Sequence, residues 1–302
     1  MGTRINNLPV TRVVDGDTLK ILINGKREFL RLDYVDTEES MAEGNKPVTI
    51  RGKAASAMAL EYFTDAQGEL INIDIEFDTD EPIEICLEKS RDHQGRLVAY
   101  VWKNDENFNI KLIEEGWSPY FCKYGYSRQY HRQMLQGEVL AQSKNLLIWN
   151  PENKLANTPG RNYRLLSNWW CLRASIVEDY RRYGQIHGIL SVRDDFPAIL
   201  EAASKEAYIT IFADLQDGIK TWLSSGAIIY DGIRNRQLKL WIPDANSADQ
   251  KPLIQLLQNR YFGIGRGYAY VTGYMCMYRD KPEMILESLD QISDFADLNN
   301  II

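Results

Sequence analysis

The sequence contains few cysteines and histidines, and neither residue type is grouped. Four cysteines and three histidines are spread over 302 residues, without a CxxC pair or a spacing typical of metal ligands. A zinc site is therefore not expected. No apolar run reaches the roughly 20 residues of a membrane-spanning helix, and the N-terminus lacks the apolar core of a signal peptide. We therefore expect a cytoplasmic protein, or a secreted or periplasmic one if the sequence lacks its leader.

The sequence also lacks an excess of positive charge. Its net charge is −7, so no global positive field attracts nucleic acid, and phosphate binding would depend on local arginines or a metal ion. Residues 1–150 carry 18 basic and 24 acidic side chains, against 17 and 18 in the remainder, which places most of the acidity in the first half. Hydrophobic residues make up 44% of the chain, as in ordinary globular proteins.

A segment poor in apolar residues divides the chain. WNPENKLANTPGRN, residues 149–162, has two prolines and four asparagines and is typical of a domain boundary. We therefore predict a first domain at 1–150, a linker and helical connector at 151–206 and a second domain at 207–302.

The first half predicts mainly strands with helices added, an α+β class. Apolar alternation and helical periodicity predict the following elements: strands at 9–14, 18–23, 28–36, 70–77, 83–88 and 96–102, and helices at 51–65, 107–115 and 127–145. This order favours a small barrel covered by helices.

The second half predicts another barrel. An amphipathic helix at 162–184 carries three arginines on its predicted solvated face: Arg173, Arg181 and Arg182. A shorter helix follows, and then strands at 207–215, 225–231 and 237–242, a helix at 247–260, and strands at 268–278 and 283–288. Three strands, a helix and two strands is the order of an OB fold, which commonly binds oligonucleotides.

Carboxylates and arginines concentrate in three segments of the first half, VVDGDTLKI, LRLDYVDTEES and SRDHQGRLVAY. Asp17 and Asp36 offer the hard oxygen ligands that Ca²⁺ or Mg²⁺ prefers. Glu39 could position a water, and Arg31 and Arg96 could hold phosphate oxygens and offset developing charge. These are the parts of a phosphodiester hydrolase. The alternative is a set of ordinary turns and surface ion pairs, which short motifs often turn out to be.

Taken in order, the segments VVDGDT, RLDYVDTEE and DHQGRLVAY, with a terminal helix before LLIWN, resemble the staphylococcal nuclease (thermonuclease) family. The resemblance covers about residues 8–149 and implies an OB-fold barrel with added helices. It implies one Ca²⁺, or Mg²⁺ or Mn²⁺ in its place, on three ligands: Asp17, Asp36 and the main-chain carbonyl of Thr37. It implies that Glu39 activates or positions the attacking water and that two arginines bind the phosphate and stabilise the transition state: Arg31 and Arg96.

The chain departs from the family pattern in several places. Glu38 stands where the family usually has proline, and His93 lies in a turn where a lysine–tyrosine pair often contacts substrate. In the sequence, Tyr124 lies near the position at which the family has a tyrosine that contacts substrate. Residues 69–88 are longer than usual and rich in carboxylates, which favours an extra solvated hairpin.

The second half contains one further candidate site. GIGRGYAY, residues 263–270, matches neither a dinucleotide-binding fingerprint nor a P-loop. Its surroundings offer rings and guanidinium groups for single-stranded nucleic acid, namely Arg260, Tyr261, Arg266 and Tyr268. The alternative is that these rings fill a barrel core.

The sequence therefore predicts a Ca²⁺-dependent nuclease that hydrolyses phosphodiester bonds of DNA, with RNA as a further substrate and single strands favoured. The family chemistry implies cleavage of the P–O5′ bond, which leaves 3′-phosphate ends. The predicted partner is nucleic acid and not a membrane. The alternative is a non-catalytic adaptor that binds nucleic acid or protein through the two barrels, against which the complete set of carboxylates and arginines argues.

Overall fold

The computed structural model describes residues 2–41, 47–150, 161–233 and 236–296. The chain divides into two units, Met1–Cys171 and Leu172–Ile302. Most of the predicted boundary segment, residues 151–160, lies outside the described residues. The functional roles assigned to residues 1–150, 151–206 and 207–302 stay predictions.

The first unit contains six strands and four helices in its described residues. The strands are β1 (Arg4–Asp15), β2 (Thr18–Ile23), β3 (Lys26–Leu32), β4 (Asn72–Glu76), β5 (Leu97–Lys103) and β6 (Glu106–Asn107). The helices are α1 (Ile50–Tyr62), α2 (Ile83–Lys89), α3 (Phe108–Glu114) and α4 (His131–Ser143), with a 3₁₀ turn at Leu147–Trp149.

Five of these strands close into a barrel, which confirms the fold predicted for this half. The sheet order is β3-β2-β1-β4-β5, and a parallel pairing of β3 with β5 completes the ring. The long strand β1 takes part twice, since residues 4–9 pair with β4 and residues 10–15 pair with β2. Alternate residues point inward and are buried, as in Ile21, Leu30 and Ile75.

The prediction of a strand at 83–88 and of a solvated hairpin at 69–88 is wrong. Residues after β4 form α2, which begins after Pro82 and has Glu84 in its first turn and Lys89 in its last. These charges complement the helix dipole and favour a helix, although the short apolar alternation predicted a strand. Carboxylates of this stretch also have partners within the protein, as at Glu76. Glu76 is buried and accepts from Tyr130 Oη at 2.7 Å.

The second unit is formed by another sheet with three helical segments, and the division between the units falls inside α5. The helices are α5 (Tyr163–Asp179), α6 (Phe196–Ser204) and α7 (Lys251–Leu256); π-helical turns follow α5 and α7, at Tyr180–Gly184 and Leu257–Tyr261. The strands are β7 (Leu190–Ser191), β8 (Tyr208–Asp214), β9 (Ile219–Leu223), β10 (Gly226–Ile233), β11 (Arg236–Pro243), β12 (Tyr268–Tyr278), β13 (Lys281–Ile285) and β14 (Ile292–Ser293).

The strand pairing of the second unit follows the same order as the first. The sheet runs β7-β8-β12-β13-β11-β10-β9, with β11 and β13 parallel. Strand β9, which the sequence pattern did not predict, continues β8 after a break at residues 215–218. Taken together, β8 and β9 correspond to β1, because one part pairs with β12 and the other with β10.

The buried positions of the second unit agree with this pairing. Strands β8, β10, β11 and β12 contribute inward side chains to one apolar cluster, and α6 and α7 cover it. None of the described helices is both long and apolar enough to cross a membrane.

Candidate active site

The first part of the site is the tight turn between β1 and β2. Asp15 accepts a hydrogen bond from the Gly16 amide at 2.7 Å and another from the Ser40 amide at 3.2 Å, which ties the turn to the loop after β3. A Cβ on Gly16 would lie 2.9 Å from both Thr37 Oγ1 and Ala55 Cβ. Only glycine therefore allows this approach. Burial raises the pKa of Asp15, against the two amide hydrogen bonds that lower it.

The second part is a ring of polar contacts around Asp17. Its Oδ2 accepts from the Thr37 amide at 2.8 Å and from Thr37 Oγ1 at 3.1 Å. Arg31 Nη1 lies 3.1 Å from the same oxygen, and Arg31 Nη2 lies 3.2 Å from Asp36 Oδ1. The Arg31 guanidinium therefore bridges two carboxylates from different parts of the chain and holds them close to each other.

A second arginine stands just before the strand that closes the barrel. Strand β5 pairs in parallel with β3, with Leu97 opposite Leu30 and Val98 opposite Arg31, so Arg96 lies two residues before the partner of Arg31. Asp92 fixes Arg96 by accepting from its amide at 2.9 Å and from its Nε at 2.7 Å. The turn that was predicted from Gly95 therefore orients the Arg96 guanidinium.

The charges in this region act strongly on Arg31. Burial lowers its pKa, but the negative charges of Asp17, Asp36, Glu39 and Asp92 outweigh burial, and the net pKa is raised. Arg31 is thus a permanent cation. Glu39 and Asp92 are close enough to contribute, which brings the predicted catalytic glutamate and the Arg96 turn to the same guanidinium.

Helix α1 supports the loop that carries Glu39. A Cβ on Gly52 would lie 2.0 Å from the Glu39 carbonyl oxygen and 2.7 Å from that of Glu38. The Glu39 carbonyl also accepts from the Thr49 amide at 3.1 Å, just before α1 begins. The loop therefore lies in direct main-chain contact with the first turn of the helix.

Three further residues border the site that sequence reasoning did not assign to it. Arg161 Nη1 donates to Asp36 Oδ2 at 2.7 Å, and Tyr163 Oη donates to Glu38 Oε1 at 3.0 Å. The other Glu38 oxygen accepts from Thr49 Oγ1 at 2.6 Å. No signal in the sequence marked Arg161, because it lies among polar residues typical of a linker.

The two predicted substrate contacts of the first unit lie at its surface. His93 is exposed in the turn before Arg96. Tyr124 is 38% exposed and lies four residues after Tyr120, which bridges to Val35 beside Asp36. Both side chains are accessible to solvent, and their contact with substrate stays a prediction.

The stacking role predicted for Tyr261 and Tyr268 is corrected by the structure, because both rings are buried. Tyr261 Oη donates to Asp294 at 2.8 Å, and the Tyr268 ring stacks on Phe212 at 4.9 Å between centroids. These rings thus fill the interior, as the alternative interpretation stated.

The two arginines of this segment bind the same aspartate. Arg260 is paired with Asp294, and Arg266 Nε lies 3.3 Å from Asp294 Oδ1. Burial lowers the pKa of Arg266. The segment does bring guanidinium groups together, but their charge is partly neutralised in place.

The donor set at the bridged carboxylates fits a hard divalent cation. Asp17 and Asp36 face the same guanidinium and offer carboxylate oxygens, which Ca²⁺ and Mg²⁺ prefer. Within the described ranges no group of three His, Cys, Asp or Glu side chains could hold an ion. Ca²⁺ and Mg²⁺ commonly take main-chain oxygen and water as further ligands beside carboxylates.

The fold and this site together define a class of protein. Its members have a five-strand barrel, with carboxylates and arginines near the parallel strands that close it. The family model described as "Staphylococcal nuclease homologue" matches residues 30–151. A thermonuclease of Staphylococcus intermedius is 38% identical over 141 residues, which cover 46% of this chain and 74% of the relative.

Other relatives match a similar share of the chain. The endonuclease YncB of Bacillus subtilis (strain 168) is 29% identical over 154 residues, covering 51% of this chain and 66% of the relative. A thermonuclease of Staphylococcus hyicus is 34% identical over 142 residues, 47% of this chain and 74% of the relative. The chain belongs to the staphylococcal nuclease family, and its first unit holds the family domain.

Proposed function

We propose that the chain is a nuclease and that its first unit carries the active site. The observation that carries the proposal is that Arg31 is paired with Asp17 and Asp36 and lies within electrostatic range of Glu39 and of Asp92, the partner of Arg96. Relatives named thermonuclease and endonuclease support the same activity.

Each catalytic residue has a role that its chemistry allows. Arg31 and Arg96 donate hydrogen bonds to the non-bridging oxygens of the scissile phosphate, where negative charge develops in the transition state. Glu39 holds the water that attacks phosphorus and accepts its proton. Asp92 orients Arg96, because its carboxylate accepts hydrogen bonds from both the amide and Nε of that residue.

The proposed cofactor is one Ca²⁺, with Mg²⁺ or Mn²⁺ as substitutes. Asp17 and Asp36, with the carbonyl of Thr37, would hold it, and it would supply positive charge beside the phosphate. The hydrogen bonds from Thr37 to Asp17 keep that carboxylate in place for the ion.

The proposed substrate is DNA, with RNA as a second substrate, cut at the P–O5′ bond to leave 3′-phosphate ends. The overall negative charge weakens nonspecific attraction to the nucleic-acid backbone. Binding of substrate therefore depends on local groups, and the second unit is a candidate for that task.

We propose that the second unit binds single strands on the outer face of β8 and β12. Tyr208 and Tyr274 lie opposite each other in register, are 60% and 70% exposed, and have ring centroids 4.9 Å apart. Tyr278 follows on the same face, and the guanidinium of the exposed Arg279 lies 5.3 Å from its ring centroid. Exposed rings beside a cation are the usual platform for unpaired bases.

Cleavage of labelled single- and double-stranded DNA with Ca²⁺, with Mg²⁺ or with EDTA tests the active site. We expect metal-dependent cleavage that Glu39→Gln and Arg96→Ala each reduce by about 100-fold or more, the scale of losing a general base or an electrostatic stabiliser. The end groups of the products test for the 3′-phosphate.

Two matched variants control for charge and folding. Glu61 lies exposed on α1 and Arg12 lies exposed on β1, so Glu61→Gln and Arg12→Ala should cleave at the parental rate. Intact DNA under every condition, together with tight binding, would reject the nuclease and favour the adaptor.

Binding of a single-stranded oligonucleotide to the Glu39→Gln protein tests the second unit. We expect Tyr208→Ala with Tyr274→Ala to weaken binding at least tenfold, because each stacked base contributes roughly 1–3 kcal/mol. Phe295→Ala, which removes another exposed ring from this unit, should not change it. Equal affinity for duplex and single strand would reject the preference.

A further inference from the structure

A cation of the chain itself occupies one of the proposed metal ligands. Arg161 Nη1 donates to Asp36 Oδ2 at 2.7 Å, while Arg31 Nη2 takes the other oxygen, Oδ1, at 3.2 Å. The Asp36 side chain is only 9% exposed, and that of Arg161 is 28% exposed. Both oxygens of this carboxylate therefore face guanidinium groups. Arg161 also lies beyond the residues that the family model matches.

Positioning of Asp36 does not require Arg161. The Asp36 amide donates to Ser118 Oγ at 2.7 Å, and its neighbour Val35 bridges to Tyr120, which fixes the main chain. Arg31 fixes the carboxylate from the side of β3. The contact with Arg161 is thus an addition to a group that is already held, and its main effect is on charge.

The main chain around Arg161 is anchored independently. Tyr163 is buried, its Oη donates to Glu38 Oε1 at 3.0 Å, and its ring meets Trp149 edge-on at 6.1 Å between centroids. Glu38 is held in turn by Thr49 Oγ1. Only the Arg161 side chain would therefore have to move away from Asp36, while residues 161–163 keep their place.

We propose that Arg161 is an internal counter-cation that competes with the divalent cation for Asp36 and so sets the metal affinity of the site. This inference rests on the proposed function, because it takes Asp17 and Asp36 as the metal ligands. The ion can bind Asp36 fully only when Arg161 leaves Oδ2. Removal of the arginine charge should therefore tighten metal binding.

The size of the effect follows from Coulomb's law. Single and double positive charges about 5 Å apart repel each other enough, even at the dielectric constant of water, to change an equilibrium constant about tenfold. A lower local dielectric constant increases the effect. We therefore expect Arg161→Gln to bind Ca²⁺ at least tenfold more tightly than the parent chain.

Calorimetric titration of the full chain with Ca²⁺ tests this without reference to activity. Arg161→Lys keeps the charge and should stay within about threefold of the parent. Arg164→Gln removes an exposed arginine of α5 that contacts Gln142 and should leave the affinity unchanged. Thermal unfolding of each variant establishes that it is folded.

Asp36→Asn separates the two levels of the argument. If Asp36→Asn loses Ca²⁺ binding and Arg161→Gln binds no more tightly than the parent, the competition is rejected and the metal site stands. If Asp36→Asn binds Ca²⁺ with the parental affinity, the proposed metal site itself is rejected. Tighter binding by Arg161→Gln alone, with Arg164→Gln unchanged, supports the competition.

Discussion

The closest main-chain contact at the site predicts that Gly52→Ala damages activity more than stability. The added Cβ would lie 2.0 Å from the Glu39 carbonyl oxygen and 2.3 Å from its carbonyl carbon. Contacts of this kind normally exceed about 3.5 Å. Either α1 or the Glu39 loop must therefore shift by more than an ångström.

The effect on stability is the difference between two opposing contributions. Alanine favours an interior helix position over glycine by roughly 1 kcal/mol, and Gly52 lies in the first turn of α1. Forcing extra volume into a packed contact costs about 1–3 kcal/mol. The net loss of about 0–2 kcal/mol leaves a typical domain folded.

Activity should respond more strongly, because the displaced segment carries Glu39, the proposed general base. A misplacement of about 1 Å can reduce a rate by roughly 100-fold. We expect cleavage of labelled DNA by Gly52→Ala to fall by about that factor, while its unfolding midpoint in urea changes little.

Gly137→Ala is the matched control. It adds the same methyl group to α4, where the nearest atom, Glu114 Cγ at 2.8 Å, belongs to a flexible side chain that can move. We expect this variant to cleave at the parental rate. Parental cleavage by Gly52→Ala would refute the reasoning, since the position of Glu39 would then not depend on α1.

Two further predictions concern the charges of the second unit. Burial, and then the charge of Asp214, raise the pKa of Asp231 well above its usual range, so folding loses stability as pH rises above the ordinary aspartate pKa of about 4. Asp231→Asn should therefore unfold at higher urea concentration than the parent at pH 7, with a smaller difference at pH 4; equal midpoints at both pH values would contradict this. Arg173→Met should destabilise the unit by about 3 kcal/mol in the same assay, because it leaves Asp214 without its 2.7 Å partner.

The sequence predicted the barrel of the first unit well, because strand periodicity and barrel geometry depend on the same alternation. The prediction failed at α2, where Pro82 and the charges at the two ends of the segment favour a helix over a strand. It also failed at β9, where exposed Trp222 and Leu223 break the alternation of a half-buried strand. Arg173 was predicted to lie on a solvated face, yet it is buried and its guanidinium lies 4.3 Å from the Tyr268 ring centroid.

The site was predicted to the extent that its residues lie in short motifs. Asp17, Asp36 and Arg31 come together as expected, since the pairing of β2 with β3 places Arg31 opposite Thr18, next to Asp17, and Asp36 follows shortly after β3. Arg161 could not be found in the same way. Its contact with Asp36 spans 125 residues and depends on where the chain returns after α4, which no local pattern records.

The two units show why the closing parallel pair matters for function. In the first unit this pair places Arg31 of β3 opposite Val98, with Arg96 two residues earlier, so both arginines belong to the strands that close the barrel or to the turn just before them. In the second unit the corresponding strands place Lys239 opposite Glu283, and these side chains form a largely buried ion pair with each other. In the second unit these strands therefore hold an ion pair that closes within the sheet, whereas in the first unit the partners of Arg31 are the carboxylates proposed to hold the cation. This supports the proposal that phosphate chemistry belongs to the first unit and that the second binds substrate through its exposed outer face.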